Sequence, residues 1–196
     1  MSRENAWIQT QSGVKFYPFA PRIDDIRKED IAGALSRICR FTGHTKHLYS
    51  VGQHSLIVSA IVHNDRARPW ALMHDAAEAY IGDISSPLKR YAPELEDAEG
   101  RIAVLVRDKW NIPYDKEIAD EVHRADLWLC YQEACVLLGN PHILDDWALR
   151  AHLKDHPFEP CRKYINPMQA VAARPTPDHV EREFLAGMHY LLEKRR

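Results

Sequence analysis

His74, Asp75 and Glu78 lie within one short run, His74-Asp75-Ala76-Ala77-Glu78, flanked by the apolar residues Ala71, Leu72, Met73 and Ala79. Burying a histidine and two carboxylates on an apolar stretch costs several kcal/mol unless something compensates, and a bound cation would do so. Glu78 follows His74 by four residues and Asp75 by three, so on a helix all three overlook one region of the surface. Neighbours such as His74 and Asp75 diverge by about 100° on a helix, so an ion they share must draw its remaining ligands from facing helices. His54, in Val51-Gly52-Gln53-His54-Ser55-Leu56-Ile57, and Asp126, in Ala125-Asp126-Leu127-Trp128-Leu129, are polar where the helical pattern expects a core residue. A lone buried histidine is ordinarily a hydrogen-bonded core side chain. The four groups together point instead to a shared ion, and two imidazoles with two carboxylates suit Mn, Co, Ni, Fe or Zn better than an all-oxygen magnesium cage.

The elements that would position these residues read as helices after a short hairpin. Trp7, Ile8 and Thr10 lead to Ser12-Gly13 and then to Val14, Phe16 and Tyr17, which predicts a β-hairpin over about 7–17. From Asp24 the apolar residues Ile26, Ile31, Leu35 and Ile38 recur at helical spacing. The run from Arg40 to Tyr49 carries Gly43 and no clean period, so it is expected to be a loop. Ser50 with Gln53 reads as a capping box opening a second helix that runs to about His63. Pro69 suits the first turn of a third, Trp70 to Tyr80, closed by Gly82. A short turn or helix over Ser85 to Arg90 precedes two long periodic stretches, Pro93 to Trp110 and Asp115 to Leu138. Beyond them a helix over Leu144 to Lys154, an irregular 157–175 and a final amphipathic helix over about 177–194 are expected. The fold class is all-α: one domain over 1–196, with a helical core at about 25–138 and a C-terminal extension.

The composition narrows the function classes. At 196 residues and 45% hydrophobic content the chain can bury one core without a staple. The formal net charge of -2, with no basic block except Lys194, Arg195 and Arg196, argues against binding a nucleic-acid duplex. Cys39, Cys130, Cys135 and Cys161 form no CxxC pair, which points to a reducing compartment. No stretch resembles a signal peptide or approaches the roughly 20 apolar residues of a membrane span. A soluble, cytoplasmic protein with no membrane partner is therefore the expectation.

The order His54, His74-Asp75, Asp126 resembles the H...HD...D signature of the HD phosphohydrolases. The surrounding text is closer still. CRFTGHTKHLYSVGQHS (39–55) and ALMHDAAEAYIGDISSPLKR (71–90) look like segments of the bacterial and prophage 5′-deoxynucleotidases of that superfamily, and of the related phage dATP triphosphohydrolases. The dipeptide alone carries nothing, whereas HDxxEAYxGDxxxPLK behind an upstream helical histidine is specific. The resemblance covers roughly residues 7–138.

It implies a helical HD bundle with His54, His74, Asp75 and Asp126 as metal ligands and Glu78 as the catalytic acid that positions or deprotonates the attacking water. Asp83 matches a family aspartate near the sugar, and is grouped with the catalytic residues. Lys89 matches a phosphate-contacting lysine, and Arg40 an arginine at phosphate or substrate. Phe41 follows Arg40 where the 5′-deoxynucleotidases place a tryptophan, so the deoxyribose contact departs from the family's. His44 and His47 read as polar loop residues; Arg124 or His123, close to Asp126 in sequence, could reach a phosphate. The implied activity is removal of phosphate from the 5′ position of a deoxynucleotide, with dNTP triphosphohydrolysis as the alternative. The implied cofactor is a divalent transition metal, with magnesium as a companion of the substrate phosphates. A non-catalytic nucleotide-binding module and an HD-type di-iron oxygenase are the readings from other classes; the spare carboxylate of Glu78 argues against the first. Relatives assemble, so a homo-oligomer is compatible with the resemblance.

Overall fold

The computed structural model describes residues 6–193, so the closing Lys194, Arg195 and Arg196 lie outside the described residues. Strands β1 (Ile8–Gln9) and β2 (Lys15–Phe16) form an antiparallel hairpin with Ile8 opposite Phe16. Gly13, at φ 82°, supplies the left-handed turn. Two bonds fasten this hairpin to the bundle: the Ser12 backbone N–H and hydroxyl donate to the buried Asp30 carboxylate at 2.6 and 2.7 Å. Phe16 is buried and stacks on Tyr80 with ring centroids 3.9 Å apart.

Helices make up most of the rest, as the apolar periodicity requires. A single 3-10 turn at Ile23–Asp25 precedes α1 (Lys28–Leu35), which is therefore shorter than the pattern from Asp24 suggests. α2 (Val51–Ile61) starts at Ser50, whose hydroxyl accepts from the Gln53 N–H at 3.1 Å, as a cap should. The other half of the capping box does not form. Gln53 Nε2 donates instead to the Ala170 and Ala173 carbonyls at 3.0 and 3.2 Å.

The expected third helix is two: α3 (Arg68–Met73) and α4 (Glu78–Ile81), with a tight turn through His74 between them. α5 (Ser86–Lys89), α6 (Pro93–Trp110) and α7 (Lys116–Leu137) follow, α7 being capped by Asp115. A 3-10 stretch at Pro141–Asp146 leads into α8 (Ala148–Asp155). The segment expected to be irregular contains α9 (Pro167–Ala172), and α10 (Pro177–Met188) runs on into a π-helical turn at His189–Glu193.

α2 is the centre of this arrangement. It touches α1, α3, α7, α9 and α10, and apart from Leu56 all of its residues are buried. A helix with no Asp, Glu, Lys or Arg and all but one side chain buried lies inside the bundle. Val51, Ile57, Val58 and Ile61, each nearly or fully buried, contribute about 1.5–3 kcal/mol apiece by leaving water. Gly52 lets α2 come close to its neighbours, since a Cβ there would meet Val180 Cγ1 at 3.0 Å and the Leu35 carbonyl at 3.2 Å. Among the described residues no helix is long and apolar enough to cross a membrane.

Candidate metal centre

His54 sits one turn into α2, which places its imidazole in the fully buried interior, at 0% exposure. Its Nδ1 is 2.7 Å from Glu133 Oε1. A carboxylate accepts and does not donate, so Nδ1 carries the hydrogen when the ring is neutral and the Nε2 lone pair faces away. His74 is fixed the same way by a different partner. Its Nδ1 donates to the Ala71 carbonyl at 2.8 Å, a group that in an unbroken α-helix would receive the N–H of residue 75. The chain then closes by three-residue steps, Glu78 N–H to the Asp75 carbonyl at 2.9 Å and Tyr80 N–H to Ala77 at 3.0 Å. The break between α3 and α4 and the orientation of His74 thus have one origin.

The two Nε2 atoms face a common space. His54 Nε2 is 3.0 Å from Asp126 Oδ1 and 3.8 Å from Asp75 Oδ2; His74 Nε2 is 3.3 Å from Asp75 Oδ2 and 4.0 Å from Asp126 Oδ1. Ligands bound at about 2.1 Å can lie at most about 4.2 Å apart, so these pairs are within the span of one ion. His54, His74 and Asp75 offer ligand atoms all within 4.8 Å of one another; Asp126 borders both imidazoles but stands outside that group. Both Nε2 atoms are buried; His74 Nε2 has no hydrogen-bond partner, and His54 Nε2 faces the Asp126 carboxylate at 3.0 Å. Buried polar atoms are nearly always satisfied, and a divalent cation would satisfy these; two imidazoles and two carboxylates are a donor set suited to it.

Electrostatics describe the same surplus of negative charge. Burial and Arg40 oppose a proton on His54, yet the carboxylates of Glu133 and Asp126 outweigh them and raise its pKa to about 9. Asp126 is desolvated, but hydrogen-bonding and charge from His54 hold its carboxyl well below the usual range. Glu78, 4% exposed, begins α4 beside the ligands with Oε2 buried and unpartnered. Burial, then the charges of Asp75 and Asp83, push its pKa well above the ordinary value. Asp83 follows Gly82, whose φ of 82° turns the chain after α4; burial raises its pKa while Arg40 opposes the rise.

The expected substrate contacts fare unequally. Arg40 is not a solvated loop charge: only 11% of its side chain is exposed, its Nε donates to Glu133 Oε2 at 2.9 Å, and Nη1 lies 3.7 Å from Asp75 Oδ2. Lys89 Nζ stands 3.9 Å from Glu78 Oε1 but is committed to Glu99 at 2.8 Å. Phe41 is half-buried, its ring 5.6 Å from the Arg40 guanidinium carbon. Phe41 and Thr42 both adopt φ 53°, a strained backbone for side chains of these types. Arg124 and His123 are exposed. Two residues along a helix turn the side chain by about 200°, which sets Arg124 on the face of α7 opposite Asp126. His44 is exposed, and His47 keeps both ring nitrogens buried without a partner, its pKa lowered by burial and by Arg174. Neither joins the ligand group found among the described residues.

One site residue escapes the sequence reading. Glu133, fully buried on α7, receives Tyr49 Oη at 2.7 Å as well as His54 and Arg40. The available signal is its spacing, seven residues after Asp126 and so two turns along the same face. Cys130, beside Arg40, has its thiol pushed up to about 12 by burial, so it is a neutral packing group at ordinary pH.

No protein-family model matches the chain. It is 46% identical over 108 residues to "Uncharacterized protein YfdR" of Escherichia coli (strain K12), a match covering 55% of this chain and 60% of that protein. It is 33% identical over 122 residues to "Uncharacterized protein RCAP_rcc00048" of Rhodobacter capsulatus, covering 56% and 61%. The chain thus spans about three-fifths of the length of the curated relatives it matches. Those names state no reaction, so the chemistry has to be argued from the side chains.

Proposed function

We propose that this chain is a metal-dependent phosphohydrolase that removes phosphate from the 5′ position of a deoxynucleoside monophosphate. The observation that carries the reading is the convergence of the buried Nε2 atoms of His54 and His74 with the carboxylates of Asp75 and Asp126, flanked by the buried, unpartnered Oε2 of Glu78. His54, His74, Asp75 and Asp126 would hold the cation. When bound, a divalent metal polarises a phosphoryl oxygen and acidifies water.

Glu78 then has a defined task. Its carboxylate is held in a poorly solvated place where it takes a proton readily, so Oε2 is fitted to accept one from the attacking water. Asp83 adds a second carboxylate at the same edge. Arg40 and Lys89 bring positive charge toward an incoming phosphate. Both are already paired with carboxylates, which limits the charge on offer and favours a monophosphate over a triphosphate.

The test is to incubate the full chain, loaded with Mn²⁺ or Co²⁺, with dNMPs and dNTPs and to identify the phosphate species released. Inorganic phosphate from dNMPs supports the proposal. Intact triphosphate released from dNTPs would replace it with the triphosphohydrolase reading, and metal binding without turnover would leave a non-catalytic nucleotide-binding module.

A further inference from the structure

Glu133 is 0% exposed and lies two helical turns beyond Asp126 on α7, away from direct contact with the expected substrate. Three donors converge on it, two from the 40–49 loop and one from α2. Tyr49 Oη and His54 Nδ1 each lie 2.7 Å from Oε1, and Arg40 Nε lies 2.9 Å from Oε2. The segment that supplies Tyr49 and Arg40 is itself tied shut at its base, where the Arg40 N–H bonds the Tyr49 carbonyl at 3.0 Å and Cys39 pairs with Ser50. The carboxylate is therefore clamped from several sides and cannot turn away from His54.

We infer that Glu133 is the positioning residue of the metal centre: through His54 Nδ1 it fixes which ring nitrogen faces the ion and in what direction. This rests on the metal-site reading given above. Imidazole ligands depend on an acceptor at their other nitrogen for orientation and basicity. His74 takes that support from its own helix, at the Ala71 carbonyl. His54 takes it from across the bundle, so the geometry of one ligand is under the control of α7, the helix that also supplies Asp126. Oε2 has a different duty. It balances the buried Arg40, which a purely structural role would also require.

These two duties separate by substitution. Glu133→Gln keeps a carbonyl oxygen able to accept from both Tyr49 and His54 but removes the charge that Arg40 uses. Glu133→Asp keeps the charge but draws the oxygens back by one methylene. Mn²⁺ and Co²⁺ affinities are measured on the full-length variants, with the visible absorption of bound Co²⁺ as a record of ligand geometry and thermal unfolding as a record of the fold. Positioning through His54 gives Gln an affinity within about threefold of the wild type and an unchanged Co²⁺ spectrum. Asp then binds roughly ten- to a hundredfold more weakly, with a shifted spectrum. The opposite order, Asp near wild type and Gln weak, would make Glu133 an Arg40 counter-ion only and overturn the inference. If Gln does not fold, an Asp variant of wild-type metal affinity still overturns it. A wild-type chain that binds neither ion would sink the metal site and this inference together. One that binds metal yet cleaves no nucleotide sinks the proposed reaction alone and leaves the Glu133 measurement standing.

Discussion

Replacing Glu78 by glutamine should make the protein more stable and less active at once. The carboxylate is 4% exposed, its Oε2 meets no donor, and Asp75 and Asp83 repel its charge. A buried polar group left unsatisfied costs about 1–3 kcal/mol, and an ionised one more. Of the two cations that favour its charge, Arg40 is already paired with Glu133, and Lys89 at 3.9 Å is better placed against Glu99 at 2.8 Å, so both lose little when Glu78 becomes neutral. Glutamine keeps the shape of the side chain and removes the charge. With a chelator present, so that metal does not enter, the variant should gain about 1–3 kcal/mol. For a chain of this length that raises the melting temperature by roughly 2–4 °C per kcal/mol. The sign has a pH signature. An acid whose pKa is raised by folding holds its proton more tightly in the native state, so native stability falls as pH rises past the unfolded value, near 4.5. The difference between variant and wild type should therefore widen from acid toward neutral pH and close at acid pH. Turnover of metal-loaded protein should drop by roughly 10²–10⁴-fold, the usual share of a general base. A Gln variant that melts below the wild type in chelator at neutral pH would refute the picture of an uncompensated carboxylate.

Two further outcomes follow from geometry already described. His54 carries a proton up to about pH 9, and that proton must leave before Nε2 can ligate, so apparent Mn²⁺ affinity should rise about tenfold per pH unit between neutral pH and that value; a flat titration there would remove His54 from the ligand set. Gly52→Ala places a methyl 3.0 Å from Val180 Cγ1 and 3.2 Å from the Leu35 carbonyl. The crowding should outweigh the helix propensity gained and cost about 1–3 kcal/mol in thermal unfolding; an unchanged melting temperature would show that α10 yields freely.

What could be read from sequence was what local chemistry decides. Ser50 caps α2 and Ser12-Gly13 turns the hairpin, because each signal acts within a few residues. The residues at 54, 74, 75 and 126 stand out in the sequence because each interrupts an apolar pattern. The break after Met73 does not, since no breaker residue marks it; there the Ala71 carbonyl is taken by His74 Nδ1. α9 was missed for another reason. Six residues cannot hold a helix alone, and what holds this one comes from elsewhere in the fold, through Gln53 at the Ala170 and Ala173 carbonyls. Glu133 was missed because its partners, Arg40, Tyr49 and His54, are remote in sequence.

The stacking of Phe16 on Tyr80 gives the hairpin an influence out of proportion to its size. Tyr80 lies two residues past Glu78, on a helix only four residues long, and its hydroxyl accepts from the Arg27 N–H at 3.3 Å. So brief a helix has little stiffness of its own and takes its bearing from whatever it rests upon. Clipping the chain ahead of Tyr17 would leave His54, His74, Asp75 and Asp126 in place and still loosen the platform under Glu78. Under the proposed function, damage at the far amino end would be felt as slower turnover before it was felt as weaker metal binding.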